Sequence, residues 1–175
     1  MGRVVNDTHA QPVLAANGGR TSRFQSNGVG PAWLHSLGKQ IMTDLKQHAR
    51  DKAAEFTRQV TSDQRWKLED ELMCQVFGFT LYGYLFGIGR VHCFMDVEEI
   101  HAIIVDQLTS LGIGRKYVEG LVQAAHPEFI TENNQSWQNR LIGVGHSHAL
   151  QENMKVLVDS IFSNTATLRN ATARP

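Results

Sequence analysis

The chain has 175 residues, 42% of them hydrophobic and 19% charged, with 17 basic and 17 acidic side chains. This is enough for one domain with a genuine core, and it excludes a disordered or collagen-like chain and any overall basic field for nucleic acid or an anionic membrane. Cys74 and Cys93 both lie among apolar residues, a usage that fits a reduced, cytoplasmic setting and excludes a disulfide framework or zinc ribbon.

In chain order, Met1 to Gly30 is rich in Gly, Asn, Ser and Gln and has no apolar period, so it reads as a flexible arm. Its short run Val13-Leu14-Ala15-Ala16 is followed at once by Asn17-Gly18-Gly19-Arg20, and no signal peptide is expected. Residues 31–163 read as a single helical domain. A first amphipathic helix is predicted from about Pro31 to Val60, with Leu34, Leu37, Ile41, Leu45, Ala49, Phe56 and Val60 on one face. A second follows a Thr61-Ser62-Asp63 cap and reaches Ile88; its later half is apolar all round, as in the buried centre of a bundle. Gly78, Gly83 and Gly87 would let neighbouring helices approach it closely. Leu72 to Ile88 is short of the roughly 20 apolar residues a membrane span needs, so no membrane association is expected.

Asp96-Val97-Glu98-Glu99 is a capping box for a third helix, which ends at Gly112-Ile113-Gly114. Arg115 to Ala125 restarts as the second arm of a helical hairpin until His126-Pro127 interrupts it. Ser136 to Val144 is ambiguous between a short helix and a connector. A last helix is predicted from Ser147 to Phe162, with Ser147 as its cap, followed by a flexible tail over residues 164–175. The fold class is therefore all-α, a compact bundle of five or six helices with a buried central helix and a flexible N-terminal arm.

Several patterns touch on chemistry. Gly145-His146-Ser147-His148-Ala149 has the look of a nucleophile elbow, but no histidine follows His148 and only Asp159 lies downstream, so the acid and base of a hydrolase are missing. His146 and His148 supply two ligands where a zinc site needs three or four. Glu98 and His101 form a single E-x-x-H spacing, whereas a di-iron bundle needs two with further glutamates. His92 and Cys93 are adjacent, but chain neighbours seldom point the same way and Cys93 reads as inert core. No catalytic residue, metal or cofactor is expected, and the chain is not read as an enzyme.

Leu111-Gly112-Ile113-Gly114-Arg115-Lys116-Tyr117-Val118-Glu119-Gly120-Leu121 resembles the helix-hairpin-helix motif of DNA-binding proteins. That resemblance implies phosphate held by turn amides, with Arg115 and Lys116 helping. Charge argues the other way. Only 12 basic residues against 16 acidic lie between Pro31 and Ser163, since the two ends carry five basic residues and one acidic. Phosphate-binding surfaces depend on clustered Lys and Arg, so no tight nucleic acid binding is expected.

The remaining profile suits protein binding. The Leu68-Glu69-Asp70-Glu71-Leu72 approach to the Phe77 to Ile88 helix, with the short hairpin after it, is similar in architecture to the all-helical immunity proteins of bacterial toxin systems. The resemblance implies an inhibitor that neutralises a toxin by direct binding. Acidic groups would speed the encounter with a basic active site, and the candidates are Glu69, Asp70, Glu71, Asp96, Glu98 and Glu99. A nucleic-acid-associated protein using residues 111–121 and a metal-dependent hydrolase stand as alternatives.

Overall fold

The computed structural model describes residues 32–131 and 135–173. The expected arm over residues 1–30 lies outside them. Among the described residues the chain forms six α-helices and no strand: α1 (Ala32–Thr61), α2 (Glu71–Phe86), α3 (Val97–Ser110), α4 (Arg115–Ile130), α5 (Trp137–Ser147) and α6 (Met154–Thr172). A π-helical turn over Gly87–His92 extends α2.

The second half of α1 buries Ala49, Ala53, Phe56 and Val60 at its apolar spacing. The Thr61-Ser62-Asp63 segment does not start α2. Arg65 captures the Asp63 carboxylate with Nε at 2.9 Å and Nη2 at 2.7 Å, reaches Asp159 at 2.6 Å and lies over the Phe162 ring at 4.1 Å. These bonds close a turn, and the Arg65 hydrogen bond lowers the Asp63 carboxyl to about 2. Helix α2 starts later, under Asp70, whose side chain accepts from the Met73 amide at 3.2 Å.

From Met73 to Leu85, α2 is buried on nearly every side, as an all-round apolar helix must be in water. By length and composition Glu71–His92 could cross a membrane, but 83% of its most apolar window is buried inside the bundle. Its main partner is α5, and glycines make the contact. A Cβ on Gly83 would lie 1.9 Å from the Ile142 carbonyl oxygen, and one on Gly145 would lie 2.0 Å from that of Thr80. The two backbones therefore touch. Just past α5, the Ala149 methyl group lies over Gly87, 2.5 Å from where a Cβ would stand.

After the π-helical turn, Phe94 takes a positive φ of 51° and α3 opens on the expected capping box, with Glu99 accepting from the Asp96 amide at 3.3 Å. The hairpin between α3 and α4 turns at Gly112, whose φ of 93° is open to glycine at no steric cost. His126-Pro127 does not end α4, which continues to Ile130. Pro127 is exposed and removes only one helical donor, and the Thr131 amide and hydroxyl both donate to its carbonyl, at 3.1 and 2.7 Å.

The ambiguous stretch from Ser136 is α5, with the Ser136 hydroxyl accepting from Asn139 N–H at 3.0 Å. Ser147 ends this helix rather than capping the next, and Asn153 caps α6. Nor is the segment from Asn164 to Thr172 the irregular tail expected of residues 164–175. It continues α6, with Thr165 buried and Leu168 against the core.

Candidate functional site

The six acidic candidates divide between two ends of the molecule. Glu69, Asp70 and Glu71 stand at the start of α2, where Leu68 packs beside Gly112, whereas Asp96, Glu98 and Glu99 stand at the start of α3, near Gly89 and Ile100. Glu71–His92 separates the groups by roughly 30 Å at the helical rise. Four of the six are engaged within the fold, Glu71 by accepting from the Gln75 side-chain amide at 3.3 Å. Asp70 caps α2 and pairs with Arg169; burial raises its carboxyl, but the Arg169 and Met73 hydrogen bonds outweigh that and hold it below the usual carboxylate range. Glu99 pairs with Lys46, whose hydrogen bond lowers its pKa, and Asp96 is the N-cap of α3. Glu69, Glu71 and Glu98 remain exposed.

Glu69 and Glu71 border a cavity of about 390 Å³ whose other walls include Leu68, Ile113, Gly114 and Tyr117. This places two carboxylates beside the turn that resembles a helix-hairpin-helix. Arg115, the first cation offered to phosphate there, donates from Nε to Glu119 at 2.9 Å. An anion approaching the turn amides would thus meet Glu69 and Glu71, with Arg115 already paired and Lys116 the cation the turn has left to offer. The same arrangement suits a cation. Leu68, Ile113 and Tyr117 supply apolar walls, and the two carboxylates supply the charge.

The elbow-like segment does not assemble a nucleophile. Ser147 Oγ donates to the Val144 carbonyl at 2.9 Å, and His148 Nδ1 lies 2.8 Å from the same oxygen, where it must carry hydrogen and donate. A protonated Nδ1 cannot take the Ser147 proton from 3.2 Å away. His146 turns to Phe129, ring centroids 5.4 Å apart, so the two histidines of the H-x-H pair diverge. Among the described residues no three His, Cys, Asp or Glu side chains gather as a metal-ligand set. Cys93 is buried while His92 is exposed, and burial pushes the Cys93 thiol up, away from the reactive thiolate. Cys74 is likewise raised by burial and by Asp70, Glu71 and Glu69.

One polar cluster escapes sequence reasoning. The buried Tyr82 hydroxyl lies 2.9 Å from His126 Nδ1 and 3.3 Å from His101 Nε2, joining α2, α3 and α4. Phe86 covers the group, stacked on Tyr82 at 5.7 Å. A phenol has one proton, so it donates to one imidazole and accepts from the other. Burial and then the neighbouring His126 lower the His101 pKa, against a smaller upward pull from Glu98. The only sequence signal was histidines within helices otherwise apolar on that face. Compared with known proteins, the chain matches no family, no curated protein and no solved structure.

Proposed function

We propose that the chain is a protein-binding module, specifically an immunity-type inhibitor that neutralises a bacterial toxin by direct binding. The observation that carries this reading is the cavity at the start of α2. Glu69 and Glu71 line it together with apolar Leu68 and Tyr117, a setting for one basic side chain of a partner. A guanidinium seated there gains two carboxylates and an aromatic face, and toxins that act on nucleic acid or nucleotides carry such cations in their own sites. The carboxylates act chiefly on encounter, since exposed charges contribute more to association rate and register than to final affinity.

The test begins with the partner that co-purifies with the full chain from its native cell. Glu69→Lys with Glu71→Lys should slow association about tenfold or more at low salt, and the wild-type rate should fall as salt rises. Arg115→Glu with Lys116→Glu should leave toxin neutralisation intact. An association rate indifferent to the first pair, or submicromolar binding of duplex DNA at physiological salt, would overturn the proposal.

A further inference from the structure

The first half of α1 leaves the body. Every side chain from Trp33 to Asp44 is exposed, over about 18 Å of helix at the standard rise. Trp33, Leu34, Leu37, Ile41 and Met42 lie along it, Trp33 being 63% exposed. Leu34, Leu37 and Ile41 continue the stripe that Leu45 and Ala49 bury further along the same helix. An isolated helix this short is marginal in water, and Gly38 in its middle weakens it further. Nothing lies within 4 Å of a Cβ placed on Gly38, so the helix is open to close approach there.

A second apolar surface lies at the base of this projection. Lys46 pairs with Glu99 at the start of α3, and His48 shares a cavity with Ile88, His92 and Leu150. Val91 stands in the π-helical turn that packs on α1, Phe94 in the short segment that leads from that turn to α3, and Leu150 beside His48. Phe94 is 70% exposed and Leu150 is 66% exposed. Phe94 also holds a positive φ of 51°, a strained conformation for a large side chain that does not enter its own core.

We propose that a second copy of this chain covers both surfaces, as a two-fold dimer in which the projecting halves of α1 pair antiparallel and Trp33 of one copy reaches Phe94 of the other. Stripe and shelf carry large apolar side chains that are 36% to 70% exposed, and at about 100 Å² each they offer on the order of 800 Å² per copy, comparable to the roughly 800 Å² per partner of a stable interface of standard size. Because the two surfaces adjoin on one molecule, a single two-fold axis removes both from water. Other occupants fit less well. From Trp33 to Asp51 the helix carries Lys39, Lys46 and Arg50 against Asp44 and Asp51, without the Lys- and Arg-rich polar face that draws a helix to anionic lipid. Residues 1–30 offer Val4, Val5, Val13, Leu14, Phe24 and Val29 at no repeating interval that would match the stripe.

Sedimentation equilibrium of the full chain tests the proposal, with far-ultraviolet circular dichroism as the check on the body. The wild type should be a dimer, and Ile41→Glu should raise its dissociation constant at least about tenfold, since a carboxylate would be buried at the seam. The dichroism of the body should not change, because Ile41 is exposed in the single copy. Oxidising a mixture of Trp33→Cys and Phe94→Cys chains should trap a disulfide-linked pair, the natural Cys74 and Cys93 being buried. A wild-type monomer at about 100 µM, a dimer indifferent to Ile41→Glu, or a monomer that sediments with vesicles of equal parts phosphatidylcholine and phosphatidylserine would overturn the proposal.

Discussion

Two glycines in α5 face opposite demands. Gly145 touches α2, whereas nothing lies within 4 Å of a Cβ on Gly143. Gly83→Ala, which meets the Ile142 carbonyl as Gly145→Ala would meet that of Thr80, should cost about 3 kcal/mol or more in urea unfolding, because backbone cannot move aside as a flexible side chain can. Gly143→Ala should instead raise stability by up to about 1 kcal/mol, as alanine does in an open helical position. The close approach at Gly83 was legible, since glycine inside an all-apolar helix has few other uses. The Tyr82 group was not, because its histidines lie 19 and 44 residues away on other helices. It carries a pH dependence. His101 is lowered from 6.5 in the fold, so the unfolded chain binds more protons between that lowered value and 6.5. Its contribution to stability is present above 6.5 and is lost as pH falls through the folded value. Protonation of His101 would also turn its ring from a possible acceptor of the Tyr82 hydrogen into a donor only. The thermal midpoint should decline from pH 7 to pH 5, and His101→Gln, which still offers a hydrogen bond, should flatten that slope.

At the scale of the element, the extension of α6 shows how a period can be hidden. Ile161, Thr165, Leu168 and Thr172 recur at helical spacing, but two of the four are threonines and the eye counts them as polar. Thr165 donates its hydroxyl to the Ile161 carbonyl at 2.8 Å and so presents a methyl group to the core. Arg169 then ties the end of α6 to Asp70 at the start of α2. Truncation after Ser163 should therefore cost at least about 2 kcal/mol in denaturant unfolding, from the packed Leu168 and Thr165 more than from the surface pair. An unchanged midpoint would assign the segment no role in the fold. The delayed start of α2 has a similar cause. Asp63 and Asp70 are both plausible caps in sequence, and Arg65 decides between them by taking Asp63 into a turn.

For the whole molecule, the all-helical class followed from apolar periodicity and from the single helix that is apolar all round. What periodicity could not supply was which helix covers that one. The acidic candidates were legible as residues, and chain order already sets them at the two ends of α2, but it does not reveal that Arg169 takes Asp70 and Lys46 takes Glu99, partners 99 and 53 residues away. The pairing of α2 with α5 has a further consequence for synthesis. The glycine contacts join positions about sixty residues apart, so at ribosomal rates of 5–20 residues per second α2 waits roughly 3 to 12 s for α5 to emerge. During that interval its Phe77, Phe79, Leu81 and Leu85 have no α5 to fold against. The nascent chain is then at its most exposed to aggregation, and a ribosome-associated holdase would find its binding segment there.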